Sequence, residues 1–347
     1  MARKQGPISV GVVGLGRAGW NIHVEQLRSH KAFRIVALAD PDKKRVRGGS
    51  DELGCASFAD LKSLLKGSDA ELVVVATPSR AHAPDSIAVM KAGRHVIVEK
   101  PMAMNLAQAD QMIRSSRACR RKLFVHQQYR FNQIMVQLQQ VIASGILGRV
   151  FHIRANWVGF SRRNDWQTLR RHGGGVLNNT CPHAIDMAMQ LLGAKVTAVM
   201  GDLQQIKDAG DAEDHVKVFM RGANGCTVDL EVSTCCAATL PAWMVLGSCG
   251  TLVSDGEETT VKYYDPRKVP KLKVVEGPAP GRQYGIAGDK LPWRQKQLKV
   301  SKTRVAAGFY DNIAAVLRKN AKMAITPESV REVIRVIALA RKGTKFT

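Results

Sequence analysis

Two stretches of the chain carry side chains that could move a proton. The first is His95–Pro101, in which Val96, Ile97 and Val98 are typical of a buried strand and Pro101 ends it. Lys100 then stands at the carboxyl end of a strand, where open α/β sheets bind ligands. A lysine partly removed from water has a lowered pKa and can exchange a proton near neutral pH. The alternative is a surface lysine before a turn.

The second stretch is Gly173–Asp186, in which a glycine-rich loop leads into a predicted helix. Asn179 and His183 are four residues apart and share a face if the helical turn begins early enough. Asp186 follows His183 by three residues and could orient its imidazole. The alternative is a structural histidine near a helix start. Cys181 and His183 have no third or fourth ligand at metal spacing, so we predict no metal site.

A glycine motif near the start of the chain predicts a nucleotide site. Residues 8–13 are typical of a short buried strand, and residues 14–19 read Gly-Leu-Gly-Arg-Ala-Gly before a predicted helix. In this pattern the first glycine permits a tight turn, the second lets a pyrophosphate approach, and the third lets the helix pack closely on the sheet. The phosphates would lie at the helix N-terminus.

Asp40 ends the next predicted strand, Phe33–Ala39, and follows Gly19 by 21 residues. That spacing is typical of the acid that binds the ribose hydroxyls of a dinucleotide. A carboxylate repels a 2′-phosphate, so Asp40 favours NAD over NADP. The basic run Lys43–Arg47 could reach a 2′-phosphate and keeps NADP open as the less favoured cofactor. An ordinary turn aspartate before Pro41 is the structural alternative.

The alternation of strands and helices brings these signals to one edge of a sheet. The predicted strand Glu71–Ala76 leads into Thr77 and Pro78, so four strand ends carry candidate contacts. The predicted cofactor-binding residues are Gly14, Leu15, Gly16, Arg17, Ala18, Gly19, Asp40, Thr77, Pro78, His82, Glu99 and Lys100.

The second half of the chain has a different pattern. We predict strands near residues 149–155, 195–206, 214–220, 225–235 and 242–253, a helix at 182–192, a long loop or insertion at 265–304, and helices at 305–319 and 327–342. Runs of strands after a βαβ half indicate an α+β domain with a mostly antiparallel sheet. The predicted fold is α/β, with a doubly wound parallel domain at 1–126 and an α+β domain at 127–347.

Composition limits the possible classes of protein. The 347 residues include 45% hydrophobic and 23% charged side chains, a globular balance. No apolar run approaches a membrane span, and the N-terminal residues do not read as a signal peptide, so we expect a cytoplasmic protein without a membrane partner. Seven scattered cysteines predict neither disulfides nor a zinc site. The net charge of +23 fits, in falling order, a solvated surface, an anionic ligand or nucleic acid.

Together these motifs resemble the Gfo/Idh/MocA family of NAD(P)-dependent oxidoreductases. The resemblance is carried by GLGRAG (14–19), ATPSRAH (76–82), AGRHVIVEKP (92–101), YRF (129–131), SGILG (144–148) and GGGVLNNTCPHAID (173–186). It implies an N-terminal Rossmann domain and a C-terminal domain whose large open sheet supports a homodimer or homotetramer. It also implies hydride transfer between nicotinamide and a carbohydrate or polyol carbon.

The resemblance further implies catalytic roles for Lys100, Asn179 and His183. Members of the family commonly use a lysine, an aspartate and a histidine four residues later, but here Asn179 takes the aspartate position. An amide can hold a hydroxyl group but cannot shuttle a proton. Arg130, Arg163 and Trp166 are candidate substrate contacts; a buried structural role for Arg130 and an exposed loop for the other two are the alternatives.

Three functions follow from these expectations. The leading one is an NAD-preferring dehydrogenase or reductase acting on a sugar, an inositol or a sugar derivative, and an anionic sugar would account for part of the charge. The second is an NAD-dependent glycosidase that uses transient oxidation and elimination, which Asn179 mildly favours. The third is a non-catalytic NAD-binding regulator.

Overall fold

The computed structural model describes residues 6–274, 276–278, 290–300 and 306–346, which form two sheets with helices around them. The N-terminal half holds a six-stranded parallel sheet in the order β3-β2-β1-β4-β5-β6. Its strands are β1 (Ile8–Val13), β2 (Phe33–Ala39), β3 (Ala56–Phe58), β4 (Leu72–Val75), β5 (His95–Val98) and β6 (Leu123–Val125). All four residues of β4 are buried, as a parallel sheet covered on both faces requires.

Helices cover both faces of this sheet. The first, α1, begins as a π-helical segment (Gly19–Val24) and continues as an α-helix (Glu25–Arg28). The others in this half are α2 (Lys43–Leu53), α3 (Leu61–Gly67), α4 (His82–Lys91) and α5 (Leu106–Ala118). The order of the strands confirms the predicted doubly wound fold and puts its switch point between β1 and β4.

The C-terminal half holds an eight-stranded sheet in the order β14-β13-β12-β11-β7-β10-β9-β8. The strands are β7 (Val150–Val158), β8 (Val196–Gln204), β9 (His215–Gly222), β10 (Thr227–Ser233), β11 (Trp243–Gly247), β12 (Gly250–Ser254), β13 (Glu258–Tyr263) and β14 (Arg294–Lys299). Among the strand pairs that the structure describes in this sheet, only β7 and β10 run parallel, so the predicted, mostly antiparallel sheet is confirmed.

Two predictions for this sheet were wrong. The single strand expected at 242–253 is a hairpin, since Gly247 pairs with Gly250 across a two-residue turn. Part of the loop expected at 265–304 is the edge strand β14, which pairs with β13. β14 has almost only exposed polar side chains and therefore lacks the alternation that predicts a strand. Residues 275, 279–289 and 301–304 of that stretch lie outside the described residues, as does residue 305, the first of the next predicted helix.

The remaining α-helices of the described residues all follow β6 in the chain. They are α6 (Gln133–Ala143), α7 (Val176–Asn179), α8 (Cys181–Leu192), α9 (Ala306–Lys319) and α10 (Pro327–Arg341). Thr326 caps α10 by accepting a hydrogen bond from the backbone N of Ser329, as predicted. α9 returns to the N-terminal half, where Arg318 forms an ion pair with Glu71 at 2.6 Å. Among the helices in the described part of the chain, none combines the length and apolar character that crossing a membrane requires.

Candidate active site

A cleft of about 1190 Å³ runs along the carboxyl edge of the parallel sheet and is closed on one side by the C-terminal half. Most of the predicted site residues line it: Gly14, Gly16, Arg17, Ala18, Asp40, Thr77, Pro78, His82, Glu99, Lys100, Arg163, Trp166 and Asn179. Four of the predicted residues are not among its lining: Leu15, Gly19, Arg130 and His183. The structure thus brings the four predicted strand ends together.

The three glycines of the 14–19 loop meet different surroundings. Gly14 has a φ of +87°, and a Cβ there would lie 2.5 Å from the carbonyl oxygen of Ala76. A Cβ on Gly19 would lie 1.8 Å from the carbonyl oxygen of Gly14, so the start of α1 packs on the turn itself. A Cβ on Gly16 would meet no atom within 4 Å. Packing inside the protein therefore requires the first and third glycines, whereas the second faces open space into which a phosphate group fits.

Asp40 is buried at the far end of the cleft. Its Oδ2 accepts a hydrogen bond from the backbone N of Leu15 at 2.6 Å, and its Oδ1 accepts one from the N of Asp42 at 2.8 Å. Each carboxylate oxygen keeps acceptor capacity for a ribose hydroxyl. The side chain of Leu15 turns into the core. Arg45, Lys62 and Lys66 line the same end of the cleft, so it holds basic groups as well as the acid.

His82 ties two of the strand ends together. Its Nδ1 lies 2.7 Å from the carbonyl oxygen of Pro101, and its Nε2 lies 2.8 Å from the carbonyl oxygen of Thr77. The Thr77 hydroxyl in turn donates a hydrogen bond to Asp85 at 2.8 Å. The side chain of His82 therefore holds the loop after β4 against the loop after β5, which carries Lys100.

Glu99 lies at the centre of a buried cluster that the sequence did not predict. Its Oε1 accepts hydrogen bonds from His23 Nε2 at 3.0 Å and His126 Nδ1 at 2.8 Å. Its Oε2 accepts one from the backbone N of Lys100 at 3.0 Å, and Tyr310 donates its hydroxyl to His23 Nδ1 at 2.7 Å. Burial raises the pKa of Glu99, but the two facing imidazoles outweigh it and hold that pKa well below its ordinary value.

The cluster anchors the backbone from which Lys100 extends. His23, Glu99 and His126 have potential metal-ligand atoms within 4.8 Å of one another. The imidazole nitrogens that face Glu99 are nevertheless engaged in hydrogen bonds to it, which is the geometry of a hydrogen-bonded triad. No sequence pattern pointed to this triad, because its members come from α1, from the end of β5 and from the residue after β6.

Lys100 reaches across the cleft to the C-terminal half. Its Nζ donates a hydrogen bond to the carbonyl oxygen of Asn179 at 2.8 Å and lies 3.4 Å from Asn179 Oδ1. Burial lowers the pKa of Lys100; Glu99 opposes this effect, and the cations Arg17 and Arg163 add to it. The proton of the Lys100 ammonium group is therefore held less tightly than that of a surface lysine.

Asn179 ends the short helix α7. Its Nδ2 donates a hydrogen bond to Gln167 Oε1 at 2.7 Å, which turns its Oδ1 toward Lys100. The next helix, α8, begins at Cys181, so the four-residue spacing to His183 spans a break between two helices. The amide oxygen thus faces the lysine at the position for which the family resemblance implies an aspartate.

His183 is buried near the start of α8, and its partner differs from the expected one. Its Nδ1 lies 2.8 Å from Gln127 Oε1, and its ring centroid lies 4.7 Å from that of Tyr129. Burial lowers the pKa of His183 well below its ordinary value, and the nearby Lys100 cation lowers it further, so the imidazole is neutral.

The expectation that Asp186 orients His183 was wrong. Asp186 faces Arg130 instead, accepting hydrogen bonds from Arg130 Nε at 2.8 Å and Nη2 at 2.5 Å. Arg130 also donates to the hydroxyl of Ser329 at 3.0 Å. A buried carboxylate needs a countercharge, and the guanidinium supplies it with matching bidentate geometry. Arg130 therefore has a structural position outside the cleft.

Arg163 and Trp166 lie where the C-terminal half meets the cleft. Arg163 Nε lies 3.2 Å from Asp165 Oδ1, in an exposed ion pair. Trp166 begins a 3₁₀ turn and is 44% exposed, so its ring has area available for a ligand. Both side chains stand on the Lys100 side of the site, within the lining of the same cleft.

Comparisons with known proteins agree with this arrangement. The family model described as "Oxidoreductase family, NAD-binding Rossmann fold" matches residues 8–127, and the one described as "GFO/IDH/MocA C-terminal domain" matches residues 135–253. This chain belongs to the Gfo/Idh/MocA family. It is thus an oxidoreductase with an NAD-binding Rossmann fold, as the resemblance implied.

Several proteins similar to this chain have names that refer to a sugar or a polyol. Myo-inositol 2-dehydrogenase of Thermotoga maritima is 30% identical over 226 residues, covering 62% of this chain and 66% of that protein. The 2,7-anhydro-N-acetylneuraminate hydratase of Escherichia coli is 25% identical over 261 residues, covering 73% and 68%. The WlbA dehydrogenase of Bordetella pertussis, solved with NADH and UDP-GlcNAcA, shares the fold with a TM-score of 0.76 and 22% identity over 97% and 98% of the two chains.

Proposed function

We propose that this chain is a dehydrogenase or reductase that transfers a hydride between NAD and a hydroxyl- or keto-bearing carbon of a sugar, an inositol or a sugar derivative. The observation that carries the proposal is the position of Lys100 Nζ, in the same cleft as the glycine loop and 2.8 Å from the backbone oxygen of Asn179. The named activities of the relatives support the class of substrate.

Two side chains, His183 and Lys100, carry out the proposed proton transfer and charge stabilisation. When bound, the cofactor supplies the hydride acceptor in the oxidative direction. His183 does not itself line the cleft, but it lies close enough to Lys100 for that group to lower its pKa. As a neutral imidazole it can accept the proton of the substrate hydroxyl, directly or through one water. Lys100, as a cation, can stabilise the alkoxide that develops on that oxygen, and in the reductive direction its lowered pKa favours proton donation. Asn179 holds a substrate hydroxyl and fixes the lysine without exchanging a proton.

NAD is the proposed cofactor, held by the glycine loop, Asp40, Thr77, Pro78, His82 and Glu99. The buried carboxylate of Asp40 supports NAD because it would repel a 2′-phosphate. The cleft is also lined by basic side chains that could bind a 2′-phosphate and therefore support NADP: Arg45, Lys62 and Lys66. Binding of NADH and NADPH, followed by fluorescence titration, tests this preference; tighter binding of NADPH would overturn it.

Arg163 and Trp166 are the proposed substrate contacts. An aromatic ring and a guanidinium together suit a sugar that carries a carboxylate or phosphate group. If the substrate is anionic, its KM rises with salt concentration, because salt screens the attraction between exposed charges. A KM independent of salt would assign the net charge of +23 to the surface alone.

A panel of sugars and polyols, incubated with NAD or NADP and followed at the NADH absorbance, tests the proposed reaction. NADH formation with any polyol would also exclude a non-catalytic regulator. A panel that includes uronic, phosphorylated and nucleotide-linked sugars covers the anionic class. The proposal fails if a folded, NADH-binding preparation oxidises or reduces none of them.

The second candidate is an NAD-dependent glycosidase acting by transient oxidation and elimination. A relative named as a hydratase indicates that this scaffold supports reactions without net redox change. Asn179 near Lys100 is an amide and cannot exchange a proton, so the site has one proton-transfer group fewer than the family resemblance implies. This difference favours a reaction other than simple dehydrogenation. Release of an aryl group from aryl glycosides without accumulation of NADH would favour this candidate over the dehydrogenase.

We also propose that the protein is cytoplasmic. We further propose that it forms a homodimer or homotetramer through the open face of the eight-stranded sheet. Gly201 packs against Ala340 of α10, so its neighbour Met200, which is 69% exposed, points to the opposite face. The register puts Met200 beside Phe219 on that face. Light scattering tests the assembly, and Met200→Glu is expected to dissociate it; a monomeric wild type would refute it.

A further inference from the structure

A buried amide defines the hydrogen-bonding state of His183. Gln127 is 1% exposed and follows β6 by two residues. Its Nε2 donates a hydrogen bond to the carbonyl oxygen of Pro182 at 3.1 Å, and its Oε1 lies 2.8 Å from His183 Nδ1. Both bonds are buried, and both end on adjacent residues at the start of α8.

The orientation of this amide follows from its partner at Pro182. A carbonyl oxygen can only accept, so the nitrogen of the Gln127 amide must face Pro182. A reversed amide would set two acceptor oxygens 3.1 Å apart in a buried place, which is unfavourable. The amide oxygen therefore faces His183 and can only accept, so His183 Nδ1 carries the proton.

We propose that Gln127 is a positioning residue that holds neutral His183 as the Nδ1–H tautomer, so that Nε2 is the atom that exchanges a proton with the substrate. The backbone carbonyl of Pro182 thus fixes the orientation of the Gln127 amide. The amide oxygen in turn fixes which nitrogen of the imidazole carries the proton. The role of Nε2 as a base rests on the proposed dehydrogenase function, whereas the tautomer does not.

The other charged groups around His183 do not replace Gln127. Lys100 and Glu99 approach from the end of β5, and His126 approaches from the residue after β6. Lys100 donates a hydrogen bond to the backbone oxygen of Asn179, and His126 Nδ1 forms a hydrogen bond with Glu99 Oε1. On α8 itself, Asp186 is engaged by Arg130. These groups change the electrostatic potential at the imidazole but do not select which nitrogen holds the proton.

The tautomer can be measured without any substrate. Histidine ¹⁵N chemical shifts of selectively labelled protein distinguish Nδ1–H from Nε2–H, and the His183→Asn variant assigns the signal. We expect Nδ1–H in the wild type and a loss of this preference in Gln127→Leu. Gln128→Leu is the matched control, since the buried Oε1 of Gln128 has no hydrogen-bond partner among the described residues. An Nε2–H signal in the wild type would overturn the proposal, whatever the reaction.

Activity adds a second readout once a substrate is known. Gln127→Glu keeps an acceptor for Nδ1–H in either charge state, so it should keep the tautomer. A protonated carboxyl donates to the Pro182 carbonyl and adds no charge, whereas an ionised one should move the acidic limb of kcat/KM upward by about 1–3 pH units. Gln127→Leu should lower kcat at least 10-fold with little change in NADH affinity. If the leucine variant fails to fold, the wild-type tautomer and the glutamate variant still decide the question. Loss of the Nδ1–H signal in a folded Gln127→Glu variant, which retains the acceptor, would refute the positioning role.

Discussion

Replacing Asn179 by aspartate tests the electrostatics of the site most directly. Asn179 Oδ1 lies 3.4 Å from Lys100 Nζ, so the substitution sets a carboxylate against a half-buried ammonium. Coulomb's law at an effective dielectric constant of about 20 gives an attraction of about 5 kcal/mol at this distance. Desolvation of the new carboxylate reduces that value, and opposite charges this close shift a pKa by about 1–3 units. Gln167 must turn its Nε2 toward the new acid, which an amide can do.

The sign of the effect follows from the role of Lys100. The carboxylate favours the charged lysine, so the pKa of Lys100 rises from its lowered value. If the lysine acts as a cation, the alkaline limb of the pH profile of kcat/KM moves upward by about 1–3 units. If it acts as a neutral base, the acidic limb moves upward instead, and activity near neutral pH falls. The same carboxylate favours the charged imidazole of His183, so part of an acidic-limb shift belongs to that residue.

The measurement is the full pH profile of kcat/KM for the wild type and Asn179→Asp, with NADH affinity and melting temperature as checks on folding. Asn132→Asp is the matched control, because Asn132 caps α6 with its side chain and aspartate caps equally well. That control adds the same charge and should leave both limbs in place. Limbs unchanged in folded Asn179→Asp would mean that Lys100 does not face residue 179 in the working enzyme, and the proposed division of roles would fail.

Three further predictions concern other parts of the site. Lys100→Ala should lower turnover by orders of magnitude and leave NADH affinity nearly intact; near-wild-type turnover would remove Lys100 from the chemistry. Gly16→Ala should weaken NADH binding at unchanged melting temperature, because its Cβ meets no protein atom, whereas Gly19→Ala should destabilise the fold by about 3 kcal/mol. Equal stability of the two variants would contradict this. Arg130→Met should cost about 3–5 kcal/mol in urea unfolding by leaving Asp186 buried without its cation, and Arg130→Met/Asp186→Leu should recover most of it; a fully stable single variant would refute the structural role.

Local patterns predicted four strands of the N-terminal half. β1 and β2 have the predicted ends, and the glycine loop, Asp40, Thr77 and Lys100 lie at one edge as expected. A parallel strand buried on both faces reads as a continuous apolar run, and a glycine that must approach backbone cannot be replaced. Such constraints act within a few residues of the chain, so they are visible in the sequence.

The partners of the polar side chains were decided by the tertiary structure. Sequence spacing suggested Asp186 as the partner of His183, yet Gln127 takes that place, from a position 56 residues away. The buried triad around Glu99 likewise joins α1, β5 and the end of β6. A polar group that becomes buried needs a hydrogen-bond partner, and that partner can come from any part of the chain. Residue spacing along one helix does not show which side chain of another element lies nearest. The sequence by itself determined which strand ends meet at the cleft, because buried strands and tight turns are local patterns. Only the packing of the two halves determined which atoms can hold or release a proton there.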